Sequence, residues 1–207
     1  NDCVGLKFDG AMMNATVYIN GGKIGLQHYG YAPFYIDLTN HVTFGEENRI
    51  TVNINTLTQP NSRWYTGSGL FREVTLCHGP RVHIVPDGIF VYTKEIADGY
   101  AFLEAQIEVD NASLENRLAE VSVLISEDGN EDIVTKTKRV IQINSGSRET
   151  ARIALNLKDP KLWDAENPNL YQVKVFVKDL GAYRTHLVKS EVADVDEARV
   201  AIVVILF

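Results

Sequence analysis

The sequence predicts an all-β protein, and three observations carry that prediction. Apolar and polar residues alternate with the period of two that is typical of half-buried strands, along nearly all of the 207 residues. Turn signals rich in Asn, Asp and Gly recur between these segments, as they do between antiparallel strands. A helical period is scarce, and residues 196–201 are the only candidate helix.

The first part of the chain contains six candidate strands before His78. "ATVYIN" alternates, and residues 20–22 (Asn-Gly-Gly) predict a tight hairpin after it, because Asn and Gly adopt positive φ at little cost. The last candidate, "LFREVTLC", would place Leu70, Val74 and Leu76 on one face. Three more of the six are "KIGLQHYG", "PFYIDLT" and "NRITVNIN". These strands are few for a complete sandwich, so we expect a partial domain.

The second part begins after a predicted connector at residues 79–86, in which Pro80 and Pro86 bracket "RVHIV". Six further candidate strands follow: "GIFVYT", "YAFLEAQIEVDN", "LAEVSVLISED", "IVTKTKRVIQI", "RETARIALNL" and "LYQVKVFVKD". Six or seven short strands over about 100 residues are typical of an immunoglobulin-like sandwich. The Cys…Trp…Cys pattern of antibody domains is missing.

Composition excludes several classes of partner. The net charge of −7 provides no basic surface for nucleic acid. The longest apolar run, residues 200–207, is too short to cross a bilayer. The five histidines show no ligand spacing and no phosphate-binding loop is present, so we expect neither a metal nor a cofactor. Cys3 and Cys77 are expected to remain thiols, although one bridge between them is an open alternative.

The acidic residues do not suggest a catalytic pair. Glycoside hydrolysis usually needs two carboxylates that flank the scissile bond. Asp9, Asp37 and Glu73 lie in strands or at their ends, and Glu166 in "AENPNLY" is better explained by turn chemistry. We therefore assign no catalytic residue. Glycosylation tripeptides begin at Asn14 and Asn111, but such tripeptides arise by chance and carry little weight.

The stretch "NSRWYTGSGLFREV" is the candidate site. It places Arg63, Trp64 and Tyr65 beside small residues, in a predicted loop before a strand. The two aromatic rings could stack on a sugar while Arg63 and the loop amides supply polar contacts. Alternatively, the rings fill an interface with a neighbouring domain, and composition alone favours this second interpretation.

Three segments together resemble the N-terminal sugar-binding domain of family 2 glycoside hydrolases, which include β-galactosidases, β-glucuronidases and β-mannosidases. They are "FDGAMMNATVYINGGKIGLQHYGYAPFYIDLT", "ENRITVNIN" and "NSRWYTGSGLFREVTL". Further on, "KLWDAENPNLYQVKV" is similar to the last strands of the family's immunoglobulin-like domain. The resemblance extends from residue 1 to about residue 180.

The resemblance implies a partial jelly roll over residues 1–79, an immunoglobulin-like sandwich over 80–190 and a divergent apolar tail over 191–207. In the family a (β/α)8 barrel carries both catalytic glutamates, and barrel active sites lie at the C-terminal face. Several members place a sugar-contacting aspartate where this chain has Arg63, so that contact is not carried over. The resemblance places Arg63, Trp64 and Tyr65 at the rim of the sugar pocket or against the barrel.

These inferences predict a non-catalytic fragment of a β-galactosidase-like enzyme that hydrolyses terminal β-glycosides in carbohydrate metabolism. The chain is a glycoside hydrolase by family and is expected to be inactive alone, because the barrel is missing from it. Expected partners are a β-galactoside in the intact enzyme, the barrel and a second copy in a homo-oligomer. The alternatives are a free-standing carbohydrate-binding or adhesion module, or a fragment of a β-glucuronidase or β-mannosidase. The compartment is left open, with bacterial cytoplasm or periplasm as the expectation.

Overall fold

The structure, a computed structural model, describes residues 3–57, 67–130 and 132–182, together with the backbone of 199–205. Over these residues every regular element is a β-strand, which confirms the all-β prediction. The chain divides into two compact units, Asn1–Pro80 and Arg81–Phe207, called here the first and second units. Each is described by itself.

The first unit contains two facing three-stranded sheets and a small two-stranded pair. Its strands are β1 Cys3–Phe8, β2 Ala11–Met12, β3 Ala15–Ile19, β4 Gly22–Gln27, β5 Phe34–Asp37, β6 Ile50–Asn53, β7 Gly69–Leu70 and β8 Val74–Gly79. The sheet orders are β5-β1-β8, β4-β3-β6 and β2-β7. Alternate residues of β1 and β3 fill the core between the two sheets, where Phe8 stacks on Phe34 with ring centroids 4.6 Å apart.

The predicted Asn-Gly hairpin joins β3 to β4. Asn20 has a φ of 49° and Gly21 a φ of 84°, the left-handed pair that a type I′ turn requires. The side chain of Asn20 also accepts from the Arg49 amide at 2.9 Å and donates to Asn48 Oδ1 at 2.9 Å. The hairpin is therefore tied to the residues that lead into β6.

One side of the first unit leaves core-facing apolar residues uncovered. Val74 and Leu76 of edge strand β8 pair with Phe8 and Leu6, so they share the core face. They are nevertheless 40% and 62% exposed. On the facing edge strand, Ile50 is 41% exposed although it pairs with buried Ile19.

The predicted strand "LFREVTLC" is in fact divided. Leu70 belongs to β7 and pairs with Ala11 of β2, whereas Val74 begins β8 on another sheet. The expectation that Leu70 shares one strand face with Val74 and Leu76 is therefore wrong. Cys77 lies opposite Gly5 and not opposite Cys3, and both cysteines are thiols, as predicted.

The second unit is a sandwich of a three-stranded and a four-stranded sheet. Its strands are β9 Val82–Ala97, β10 Tyr100–Asn111, β11 Arg117–Glu127, β12 Ile133–Ile143, β13 Ser147–Lys158, β14 Tyr171–Ala182 and β15 Arg199–Ile205. The sheet orders are β13-β10-β9 and β12-β11-β14-β15, with antiparallel pairing throughout. Alternate residues such as Ile107, Val123 and Val175 are fully buried between the two sheets.

The predicted connector at 79–86 is wrong, because β9 already begins at Val82. Pro86 sits in a bulge, where the pairing with β10 jumps from Ile89 to Ile84. A bulge accepts proline because its missing N–H is not needed in the ladder. The true junction is Pro80-Arg81. Arg81 accepts from the Ala112 amide at 2.9 Å and donates from Nη1 to the Ala112 carbonyl at 2.7 Å.

Asn111, at the end of β10, is buried and joins two other chain segments, the loop after β10 and the end of β12. Its Nδ2 donates to the carbonyls of Glu115, Ile143 and Asn144 at 2.8–3.1 Å. Its Oδ1 accepts from the amide and the hydroxyl of Ser113 at 3.0 and 2.6 Å. Because the side chain is 0% exposed, the second glycosylation tripeptide serves as a folded-state anchor.

The candidate helix at 196–201 is contradicted over its last three residues. Strand β15 begins at Arg199 and pairs antiparallel with β14, so that Tyr171 lies opposite Ile205. A run of β-branched residues fits an extended ladder better than a helix, in which such side chains lose rotamer freedom.

Candidate functional site

The predicted site residues Arg63, Trp64 and Tyr65 lie outside the described residues. The structure describes both ends of the segment that contains them, up to Leu57 and again from Gly67. The geometry of these two ends defines the surroundings of the candidate site.

The first end of the segment is held by a polar cluster next to β3. The amide of Asn55 donates to the Met13 carbonyl at 3.1 Å, and Asn14 Nδ2 donates to the Asn55 carbonyl at 3.0 Å. Asn14 Oδ1 lies 3.0 Å from His28 Nδ1. The Leu57 amide donates to Asn55 Oδ1 at 3.0 Å, a local turn in which an Asn side chain accepts from the amide two residues on. Asn14 has a φ of 48°, a conformation that asparagine tolerates better than most residues.

The second end is held by β7 and by an arginine. Gly69 has a φ of 102°, which excludes most side chains, and it pairs with Met12 of β2. Arg72 Nη1 donates to the carbonyls of Asp9 and Tyr31, each at 3.2 Å. The Arg72 guanidinium carbon also lies 5.1 Å from the centroid of the Phe71 ring. Both ends of the segment are therefore anchored to the same few loops.

An aromatic cluster stands beside the second end. Tyr29 and Tyr31 have ring centroids 5.9 Å apart, and Tyr31 and Phe71 have centroids 5.8 Å apart, both in edge-on geometry. Their exposed fractions are 63%, 39% and 43%. We name these three residues the loop-side cluster. Sequence reasoning did not assign them to the site, although "HYGYAP" and "GLFRE" place aromatic residues beside glycines in predicted loops.

Close packing of glycine supports the cluster. A Cβ atom on Gly10 would approach the tip of the Phe71 ring to 2.8 Å and the Gly30 carbonyl to 3.1 Å. A Cβ atom on Gly30 would collide with the side chain of Met12. These two glycines let the loops approach closely enough for Phe71 to reach Tyr31.

Two of the carboxylates considered in the sequence, Asp9 and Asp37, have structural partners. Asp9 forms an ion pair with Lys7 at 3.0 Å, and Asp37 accepts from the Thr39 amide at 2.8 Å. Within "AENPNLY", the amide of Asn167 donates to Asp164 at 2.6 Å, which holds the pKa of Asp164 below its ordinary value. This is the turn chemistry that was predicted around Glu166.

The described residues hold neither a metal-type cluster nor a membrane-type helix. In the described ranges, no three His, Cys, Asp or Glu side chains are arranged so that they could share a metal ion. Those ranges also contain no helix with the length and apolar character needed to span a membrane. The site can offer aromatic faces and hydrogen-bonding groups, which suit a neutral, hydroxyl-rich ligand.

Two family models match the chain in succession. Residues 2–80 match the sugar binding domain of glycosyl hydrolases family 2, and residues 82–193 match a second model of the same family. The matches span both units.

Relatives and solved structures agree with the family models. The chain is 35% identical to the β-galactosidase BoGH2A of Bacteroides ovatus over 80% of this chain and 19% of that protein. It is 30% identical to a putative β-glucuronidase of Formosa agariphila over 84% of this chain and 16% of that protein. A solved family 2 member from Bacteroides cellulosilyticus superposes with a TM-score of 0.78 at 30% identity, covering 86% of this chain and 24% of that one. The chain thus spans about a quarter or less of each of these three proteins.

Proposed function

The chain belongs to glycosyl hydrolases family 2, and on that premise we propose that it is the non-catalytic N-terminal portion of a β-galactosidase-like enzyme that cleaves terminal β-glycosides. The single observation that carries this proposal is the order of the two family models, with the sugar binding domain first, over residues 2–193. The similarity to BoGH2A favours β-galactoside as the substrate of the whole enzyme.

In this proposal the first unit shapes the sugar pocket and the second unit acts as a spacer and a contact between subunits. Retaining hydrolysis needs two carboxylates about 5–5.5 Å apart, one as nucleophile and one as acid and base. That chemistry is assigned to a barrel domain outside these 207 residues. The segment with Arg63, Trp64 and Tyr65 is proposed to reach the pocket rim or the barrel. The anchoring of both its ends and the adjacent loop-side cluster support this role.

We also propose that residues 1–79 are part of a larger jelly roll, 80–190 the immunoglobulin-like unit and 191–207 a divergent tail. The uncovered core faces of β6 and β8 support the first of these proposals. Leu76 at 62% exposed would recover most of its hydrophobic free energy, about 1.5–3 kcal/mol for a fully buried side chain, if another segment covered it.

A glucuronidase origin is a second candidate, because a putative β-glucuronidase is 30% identical to this chain. The two candidates differ in whether the whole enzyme must bind a sugar carboxylate. Arg63, a cation in the candidate loop, could meet such a carboxylate.

Complementation tests the proposal. The 207-residue chain should give no turnover of nitrophenyl β-galactoside, β-glucuronide or β-mannoside alone. Turnover should be recovered on mixing it with a separately produced barrel fragment from the same gene or from a family relative. Recovery with Trp64→Ala should be weaker, and the glycoside that is cleaved identifies the sugar. Turnover by the chain alone would refute the proposal. Galactoside binding that Trp64→Ala abolishes, without any complementation, would favour a free-standing carbohydrate-binding module.

A further inference from the structure

Four aromatic rings, two of them exposed and two half-buried, lie on the outer face of the β9-β10-β13 sheet in the second unit. Phe90 and Tyr92 of β9 have ring centroids 5.3 Å apart at 27°, and Tyr100 and Phe102 of β10 have centroids 6.2 Å apart at 36°. Phe90 is 60% exposed and Tyr100 is 37% exposed. We name these four residues the aromatic row.

The strand register places the two pairs beside each other on the same face of the sheet. Tyr92 lies opposite Glu104, whose next outward neighbour along β10 is Phe102. Diagonal neighbours of this kind remain within reach of aromatic side chains. Phe90 lies opposite Gln106. The row follows β10 from Tyr100 to Gln106, six residues or about 20 Å at roughly 3.4 Å per residue.

A fixed polar network lies in the middle of the row. Tyr92 Oη donates to Glu104 Oε1 at 3.0 Å, Gln106 Nε2 donates to the same oxygen at 2.9 Å, and Lys94 forms an ion pair with Glu104 Oε2. Lys94 reaches this face from a bulge in β9. The hydrogen bond and charge of Lys94, with the bonds from Gln106 and Tyr92, lower the pKa of Glu104 to about 2. Glu104 is therefore a charged acceptor at neutral pH, and its partners are held in place.

The charges on this face balance. Four acidic and four basic side chains occupy it: Glu95, Glu104, Glu108, Asp110, Lys94, Arg148, Arg152 and Lys158. Two opposite pairs are in direct contact, Lys94 with Glu104 and Arg148 with Asp110. A balanced face neither attracts nor repels a highly charged polymer, so it complements a neutral ligand.

The combination of aromatic rings with a fixed polar network favours a sugar over a protein as the partner. A packed apolar protein surface would strip water from the Lys94–Glu104 pair without replacing its hydrogen bonds, which is costly. A sugar offers an apolar C–H face to the rings and hydroxyl groups to the polar network at the same time. A row about 20 Å long suits a chain of sugars that runs extended along the sheet.

We propose that the aromatic row is a binding face for an extended, neutral, β-linked polysaccharide. The proposal uses other residues than the Arg63–Tyr65 segment and does not rest on the proposed hydrolase function, because binding here needs no turnover. The Phe90–Tyr92 and Phe102–Tyr100 pairs pack against the C–H groups of the sugars, and Glu104, Gln106 and Lys94 bind their hydroxyl groups.

Affinity measurements on the 207-residue chain test the proposal. The ligands are cellohexaose, mannohexaose and xylohexaose by isothermal titration, with α-linked maltohexaose as the linkage control. At least one β-linked hexamer should bind and maltohexaose should bind at least about tenfold more weakly. Phe90→Ala and Phe102→Ala should each weaken binding about tenfold, and the double variant further. Phe44→Ala, the same change at an exposed ring of the first unit (57% exposed), should leave it within about twofold.

The results that would contradict polysaccharide binding differ from those that would contradict the proposed hydrolase function. Trp64→Ala should leave hexamer binding intact, whereas it should weaken complementation. Circular dichroism of each variant checks that the fold is kept. The proposal is overturned if no β-linked hexamer binds at millimolar concentration, or if Phe44→Ala weakens binding as much as Phe90→Ala. It is also overturned if the longer gene product loses the binding that the 207-residue chain shows, because the face is then an interdomain surface.

Discussion

Replacing Asn111 with alanine should destabilise the second unit strongly. Five contacts end on this side chain, but the two protons of Nδ2 are shared among three carbonyls. We therefore count two donated bonds and the paired bonds to Ser113. Each of the two donated bonds contributes about 1 kcal/mol, and the paired bonds to Ser113 together contribute about 1 kcal/mol more. The free energy of unfolding should therefore fall by about 3 kcal/mol. The bond to the Ile143 carbonyl is fully buried, so that acceptor cannot turn to water.

Urea unfolding followed by tryptophan fluorescence measures this loss. The chain has two tryptophans, so a Trp64→Phe background leaves Trp163 of the second unit as the reporter. With a slope of about 2 kcal/mol per M, the midpoint should fall by about 1.5 M in Asn111→Ala. Asn156→Ala, on the exposed side of β13, is the matched control and should change stability by less than about 0.5 kcal/mol.

Asn111→Asp sharpens the test. A carboxylate in this place faces three carbonyl oxygens, so its pKa should rise in the folded state, and the variant should be less stable than Asn111→Ala at pH 7 and recover as the pH falls. A loss below 1 kcal/mol for Asn111→Ala, or one equal to that of Asn156→Ala, would refute the anchoring role of this side chain.

Three further changes have defined outcomes. Because the folded pKa of Glu104 is about 2 and its ordinary value is 4.5, its charge stabilises the fold above pH 4.5 and that contribution is lost as the pH falls towards 2. The urea midpoints of the wild type and Glu104→Gln should therefore converge over that window, and parallel midpoints would contradict this. Tyr171→Phe removes the hydroxyl that accepts from the Lys161 amide at 2.9 Å and should cost about 1 kcal/mol by thermal unfolding, whereas an unchanged Tm would count against it. Gly21 has a φ of 84°, so Gly21→Ala should lower the free energy of unfolding of the first unit by about 1–2 kcal/mol and leave the second unit unchanged. A shift in the unfolding transition reported by Trp163 would contradict this expectation.

The sequence predicts those parts of this fold that depend on local chemistry. The pair Asn20-Gly21 predicts its hairpin because few residue pairs tolerate two positive φ angles. The alternating strands of the second unit are predicted because one face of each is buried. The connector predicted around Pro86 is wrong because proline is found both in connectors and in β-bulges. Only the pairing of β9 with β10 shows that Pro86 lies in a bulge.

The candidate sites show more clearly which features the sequence alone does not predict. Trp64 stands out in the sequence as a large aromatic residue among small ones, whereas Tyr31 and Phe71 of the loop-side cluster are 40 residues apart and meet only in the fold. The role of Asn111 depends on Ile143 and Asn144, more than 30 residues away. The aromatic row depends on the register between β9 and β10, including a bulge at Lys94, which no periodicity reveals.

The Pro80-Arg81 junction has a consequence for limited proteolysis. A protease must draw several extended residues into its cleft, and these must first be free of the fold. Gly79 is still paired with Cys3, Val82 is already paired with Asn111, and Arg81 is held at both its carbonyl and its guanidinium. Trypsin should therefore spare Arg81 in the native protein, and the halves of this chain should not be separable by digestion at their boundary.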